Sequence, residues 1–213
     1  MLAEINLGLH PKQQLALDSE ANEILYGGAA GGGKSHLMRV ASIIWCAQIA
    51  GLQVYLFRRH SNDLEKNHLH GPTGYQMLLA PWCNAGFCEI VKGTIRFWNG
   101  SKIFLCHCKD EDDIYQYQGA EIHVLMIDEL THFTEHMYQF LRSRVRATGL
   151  DLSDYKGQFP KVFCGSNPGN IGHEWVKRYW IDGKEPLQIY QMDKEEGGKR
   201  RQFVSALLED NPT

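Results

Sequence analysis

The chain has 213 residues, 43% hydrophobic and 22% charged, with a formal net charge of −3. That length supports one sizeable domain, or a domain with an appendage. The composition is that of an ordinary globular protein and excludes a globally basic nucleic-acid binder, so any DNA contact needs a local patch. The longest apolar stretch, near residues 40–50, is interrupted by Ser42 and Gln48 and is too short to span a bilayer. No basic segment with a cleavage site is seen at the N-terminus. The six cysteines are therefore expected as reduced thiols.

Residues 1–22 read as a lead-in, with a helix over 11–18 because proline suits a first helical turn. A short apolar strand over 23–26 then runs into Gly28-x-x-x-x-Gly33-Lys34-Ser35, the spacing of a P-loop. Each residue type there has a separate physical job. Gly28, Ala29, Ala30, Gly31, Gly32 and Gly33 let backbone N–H groups curl around a phosphate chain without Cβ clashes. Lys34 carries a positive charge to the β and γ oxygens, and the Ser35 hydroxyl can ligate Mg²⁺. The following helix, over 34–49, points its partly positive N-terminus at the same phosphates. The bland reading, a flexible glycine hinge, explains neither the strand before the loop nor the apolar helix after it. The motif therefore predicts binding of a nucleoside triphosphate.

A second strand is expected over 53–58, ending in Arg58 and Arg59, and a helix near 75–79. Residues 89–91, 94–98 and 102–106 read as a small antiparallel meander, with Asn99-Gly100 as a hairpin signal. Residues 110–117 are acidic, helix or loop. A buried strand over 123–127 delivers Asp128 and Glu129 at its carboxyl end, where α/β sheets place their ligands. Asp128 fits the partner of Mg²⁺, through water, and Glu129 fits the base that deprotonates the attacking water. Without the P-loop, the same two acids could merely start a loop.

A helix is expected over 134–146, ending in Arg142, Arg144 and Arg146. Arg142 and Arg146 would share one helical face. Two readings stand for this cluster. It is either a set of candidates for an arginine that reaches a neighbouring subunit's γ-phosphate, or a solvated helix end that complements the dipole. Residues 161–166 read as another buried strand, ending in Ser166 and Asn167, which suits a γ-phosphate sensor and also a turn at Asn167-Pro168-Gly169. A short helix over 173–180 and strands over 187–192 and 202–207 complete the pattern. Alternating buried strands and helices predict an α/β fold with a largely parallel central sheet flanked by helices and a small antiparallel extension.

Smaller features keep two readings each. Gln13 stands where an amide could read an adenine edge, or on a plain surface helix. Cys106, His107 and Cys108 lie on one strand, so the cysteines share a face and the histidine takes the other. No Cys-x2-Cys pair completes a zinc site with them. Lys194, Lys199, Arg200 and Arg201 form a basic run, either a DNA contact or a solvated loop. Residues 207–213 read as a strand exit and linker, as at the front part of a longer polypeptide.

Taken together, these motifs resemble the ATPase domain of the large terminase subunit of tailed phages. The resemblance rests on the 27–35 loop, Leu56-Phe57-Arg58-Arg59, Asn99-Gly100-Ser101, Tyr117-Gln118-Gly119-Ala120 and Met126-Ile127-Asp128-Glu129-Leu130-Thr131. It continues through Leu141-Arg142-Ser143-Arg144-Val145-Arg146, Gly165-Ser166-Asn167-Pro168-Gly169 and His173-Glu174-Trp175-Val176-Lys177. It implies a RecA-like P-loop ATPase domain over 1–205 and the start of a linker over 206–213 toward a nuclease domain. It also implies ATP and Mg²⁺ as cofactors, with hydrolysis driving double-stranded DNA into a procapsid.

The implied partners are DNA, a portal protein, a small terminase subunit and further copies in a ring of about five; the implied place is the host cytoplasm, at the portal vertex. The isolated chain would be a monomer, with no nuclease activity. Residue by residue, Lys34 and Ser35 would hold phosphate and Mg²⁺, Asp128 would support the metal and Glu129 would activate water. Ser166 and Asn167 would match the motif that couples hydrolysis to movement. Arg144 or Arg146 would be the trans-acting finger, and Gln13 matches the adenine-contacting glutamine only loosely. The loop lacks the internal arginine of some family members, which leaves that job to another residue. The rival enzyme is a helicase-like nucleic-acid-dependent ATPase outside packaging. A nucleotide-binding switch without turnover would not need Glu129.

Overall fold

The strands are β1 (Glu23–Gly28), β2 (Gln53–Arg58), β3 (Cys88–Val91), β4 (Thr94–Phe97), β5 (Lys102–His107), β6 (Val124–Asp128), β7 (Lys161–Ser166), β8 (Ile189–Gln191) and β9 (Arg200–Ala206). The structure is a computed structural model that describes residues 5, 7–28, 31–155, 157–206 and 210. The nine strands among the described residues join one sheet in the order β3-β4-β5-β2-β6-β7-β1-β9-β8. The six strands from β5 to β9 in that order run parallel. Antiparallel strands extend both edges, β3 and β4 on one side and β8 on the other. The expected antiparallel extension is present, and its last strand, β5, pairs in parallel with β2.

The parallel strands are apolar on both faces, which requires helices on both sides. Val124 and Met126 enter one core with Ile24, Tyr26 and Phe163. Leu125 and Ile127 enter the other with Leu25, Val162 and Cys164. The helices α1 (Pro11–Leu17), α2 (Lys34–Gln48) and α4 (Tyr75–Asn84) cover the first face, through residues such as Ala16, Leu37, Met38, Trp45 and Leu79. The short α3 (Ser61–Leu64) leads into a π turn at Glu65–Leu69. The helices α5 (Glu135–Ser143) and α6 (His173–Trp180) cover the second face, through Met137, Tyr138, Leu141, Trp175 and Trp180. No helix among the described residues is long and apolar enough to cross a membrane.

Arg39 and Ser42, two polar residues of α2, are buried. Arg39 Nη1 donates to the Asn67 carbonyl oxygen at 2.7 Å and Nη2 to Thr73 Oγ1 at 2.8 Å. The Ser42 hydroxyl lies 2.7 Å from the buried Tyr75 hydroxyl. These contacts clamp the excursion between β2 and α4 onto the helix that opens with Lys34.

Helix α5 stops earlier than its sequence suggests. Thr134 caps its start, accepting from the Met137 N–H, but after Ser143 the chain straightens to pair Val145 with Ile122 just before β6. Arg142 and Arg146 therefore share no helical face.

Lys161, the first residue of β7, is fully buried. Its ammonium donates to the Ser19 carbonyl oxygen at 2.9 Å and sits 5.3 Å from the ring centres of both Trp45 and Phe159. Burial first, and then the Arg200 charge, pull its pKa down to about 7. A lysine with a folded pKa below its unfolded value binds fewer protons when folded. Its cost to stability is full below about pH 7 and fades as pH rises toward the unfolded value near 10.4. Lys161→Met is expected to stabilise the fold by about 1–4 kcal/mol near pH 6.5, with the gain shrinking toward pH 10. Denaturant titrations across that range check the sign and the slope.

Candidate active site

The parallel strands β1, β6 and β7 present their carboxyl ends along one edge of the sheet, and β1 turns there into the loop. Gly27 pairs with Ser166 so closely that a Cβ on it would lie 2.1 Å from the Ser166 carbonyl oxygen. Gly33 caps α2 in the left-handed region, at φ 67°. Ala29 and Ala30 lie outside the described residues, as does most of 206–213. Lys34, the first residue of α2, is buried. Burial lowers its pKa, and the charges of Glu129 and Asp128 push it back up.

Asp128 ends β6 with no exposed surface. Its Oδ2 accepts from Ser35 Oγ at 2.9 Å, Arg58 Nε at 2.9 Å and His68 Nε2 at 2.8 Å. Its Oδ1 is buried without a hydrogen-bond partner. It faces Gly165, where a Cβ would come within 3.3 Å of it and 3.4 Å of Lys34 Cβ. Burial by itself would raise this carboxyl's pKa. The hydrogen bond from His68, then the Arg58 charge and the Ser35 hydroxyl, outweigh it and hold the group below the usual carboxylate range, while burial lowers the pKa of His68 itself.

Glu129 sits at φ 59° and ψ 55°, a left-handed conformation that costs a non-glycine residue about 1–2 kcal/mol. The turn points its carboxylate toward Asn167, whose Nδ2 donates to both oxygens at 3.2 and 3.3 Å. Arg58 Nη2 lies 3.7 Å from Glu129 Oε1. The two polar residues at the tip of β7 thus divide their contacts. Asn167 touches Glu129, while the Ser166 hydroxyl accepts from the Thr131 N–H at 3.3 Å and donates to the Asn167 carbonyl oxygen at 3.1 Å.

The arginines expected as finger candidates separate. Arg142 Nε donates to the buried Glu23 at 2.5 Å and its Nη2 to the Glu196 carbonyl oxygen at 2.7 Å, at the far end of β1 from the loop. Both contacts lie within the chain. Arg144 lies 4.9 Å over the Phe140 ring and donates to the Gln118 carbonyl oxygen. Arg146 is 58% exposed, with Glu121 at 3.8 Å.

The basic run splits: Lys194 is exposed, while the other three make contacts within the chain. Arg201 is buried against Glu23 at 2.8 Å, Arg200 pairs with Glu20 at 3.5 Å and burial lowers the pKa of Lys199.

Gln13 does not lie on a plain surface helix. It is 1% exposed, its Oε1 accepts from the His10 N–H at 2.8 Å and its Nε2 donates to the Gly33 carbonyl oxygen at 3.0 Å. Both ends of the amide are engaged within the chain, tying α1 to the loop.

Two site residues carried no assigned role in the sequence reading. Arg58 could have been found from register, since β2 pairs Phe57 with Ile127 and so brings Arg58 beside Asp128. His68 arrives from the π turn, and no periodicity in the sequence marks it.

A parallel sheet that sets a glycine loop and its lysine beside a buried aspartate and a following glutamate, with one strand between β1 and β6, defines a RecA-like P-loop NTPase. The chain belongs to the phage terminase large subunit family, whose description, "Phage terminase large subunit", it matches over residues 20–206. It is similar in structure to the large terminase of a thermophilic bacteriophage in complex with ADP, at 15% identity and TM-score 0.68, covering 95% of this chain and 46% of that one. The large terminase ATPase domain of Thermus phage P74-26 matches at 14% identity and TM-score 0.55, over 93% and 80% of the two chains. The N-terminal domain of the DNA packaging ATPase from bacteriophage phi29 matches at 14% identity and TM-score 0.54, over 95% and 98%. This chain thus spans about half the length of the terminase solved with ADP. Comparison with curated proteins gave no match.

Removing the Gln13 amide leaves the His10 N–H without its side-chain acceptor and takes a donor from the Gly33 carbonyl. Gln13→Ala is expected to cost about 1–3 kcal/mol, measured as a lower urea midpoint at unchanged m-value.

Proposed function

We propose that residues 1–205 are the ATP-hydrolysing motor module of a viral terminase large subunit, driving double-stranded DNA into a procapsid. The observation that carries this reading is the pair Asp128 and Glu129: a buried carboxylate bonded to the loop serine, and beside it a partly exposed one held by Asn167. Family membership and the likeness to a terminase solved with ADP support ATP as the substrate.

In this mechanism the backbone N–H groups of residues 28–33 cradle the phosphates, and Lys34 neutralises charge on the β and γ oxygens. The residues fit Mg²⁺: Asp128 keeps one buried oxygen without a partner, and the Ser35 hydroxyl lies 2.9 Å from the other. Ser35 would hold the ion, with Asp128 supporting it through water. When bound, Mg²⁺ neutralises phosphate charge and orients the group under attack. Glu129 takes the proton of the attacking water. The Asn167 amide holds the Glu129 carboxylate in place, and Arg58 steadies its charge. Ser166 and Asn167 lie against the Thr131 turn, whose carbonyl oxygen accepts from the Gly172 N–H just before α6. A change at the γ-phosphate has a short route to that helix.

The arginine that completes the site in trans is Arg146, or Arg144 after it leaves Phe140. The working assembly is a ring of about five copies at the portal vertex in the host cytoplasm, with portal protein and small terminase subunit as partners.

Glu129→Gln is expected to keep ATP binding and lower turnover by about 10²–10⁴-fold. Unchanged turnover in a quenched-flow assay would remove Glu129 from the mechanism. If the finger acts in trans, ATPase activity per chain rises with protein concentration, and Arg146→Ala flattens the rise. A wild-type rate per chain that stays level across the assembly range counts against a trans arginine.

A further inference from the structure

We propose that His68 is a positioning residue for the metal-supporting carboxylate, fixing Asp128 so that its Oδ1, and not its Oδ2, is left for the cation. This rests on the nucleotide-and-Mg²⁺ reading above.

Three donors meet at Asp128 Oδ2 and none reaches Oδ1. A carboxylate can turn about its Cβ–Cγ bond and exchange its oxygens, so something must hold the one that faces the cation. Ser35 cannot be that anchor, because its hydroxyl is needed at the ion. Arg58 is shared: it also reaches the Asp63 carbonyl oxygen at 3.3 Å and Glu129 at 3.7 Å. His68 is different. Its ring has no exposed surface, its Nε2 bonds Asp128 and its Nδ1 is buried without a partner. An imidazole serving only to fill the core would leave two buried polar atoms to satisfy. This one satisfies a single atom, and does so on Asp128.

The local backbone is built to deliver it. The π turn at Glu65–Leu69 widens the helix and swings the ring toward β6. Asn67, the residue before His68, is held from both sides: its carbonyl oxygen accepts from Arg39, and its Nδ2 donates to the Asp63 carbonyl oxygen at 2.7 Å. Arg39 lies one turn along α2 from Ser35. The two ends of the metal site, Ser35 and Asp128, are thus connected a second time, through Arg39, Asn67 and His68. Partners of this kind, bonded to the groups that hold a metal, typically change metal affinity by about 10–100-fold when removed.

The test follows Mn²⁺ binding to the chain saturated with ADP, read from the electron paramagnetic resonance signal of free Mn²⁺. If the wild-type chain fails to hold ADP, the nucleotide reading itself fails. If it holds ADP, His68→Leu is expected to raise the Mn²⁺ midpoint about 10–100-fold, with metal-free ADP affinity unchanged. His68→Gln, whose amide nitrogen can stand in for Nε2, is expected to recover most of the loss. A wild-type midpoint in His68→Leu, or a His68→Gln midpoint no better than it, overturns the proposal. If the leucine variant does not fold, His68→Asn replaces it, because its amide reproduces the Nδ1 position and not Nε2; the same comparison with Gln decides.

Discussion

The structure turns on one buried carboxylate. Asp128 has no exposed surface, yet it sits below the usual carboxylate range because hydroxyl, guanidinium and imidazole donors converge on one of its oxygens. Those donors come from α2, β2 and the π turn, so the carboxylate is where separate parts of the chain are brought into register. Removing any one donor leaves a buried charge less compensated, which costs more than the bond itself.

Two glycines make that convergence geometrically possible. β7 lies between β6 and β1, so Asp128 and Lys34 must approach across it. Gly165 pairs with both Asp128 and Tyr26, and its missing Cβ is what lets Lys34 Cβ and Asp128 Oδ1 come near each other. Gly27, one pair further on, keeps β1 close to the Ser166 backbone where the loop begins. The strain at Glu129 belongs to the same arrangement: a left-handed residue directly after β6 turns the second carboxylate out of the core and onto Asn167.

Much of this was legible in the sequence, because the signals are local. The loop spacing, the apolar runs before Gly28 and Asp128 and the turn chemistry after Ser166 each sit within a few residues, and the strands they mark fall within one or two positions of where they were expected. What was not legible depends on distant partners. Arg142 reads as a free helical arginine until β1 brings Glu23 beneath it. Gln13 reads as an adenine contact or a surface amide, and nothing local marks its bond to the loop carbonyl. The end of α5 is set by Ile122, which lies 23 residues before Val145 in the chain. Residues 61–74 carry no period at all, so the segment that delivers His68 shows only in three dimensions.

The central claim is that Asp128, Glu129, Lys34 and Ser35 form a single hydrolytic site. The most direct measurement is a crystal structure of the chain with ADP, Mg²⁺ and aluminium fluoride. The account expects the fluoride between Lys34 and Glu129, the metal on Ser35, and Asp128 turned to it through Oδ1. A nucleotide bound away from the loop, or a Glu129 carboxylate with no water in reach, would contradict it.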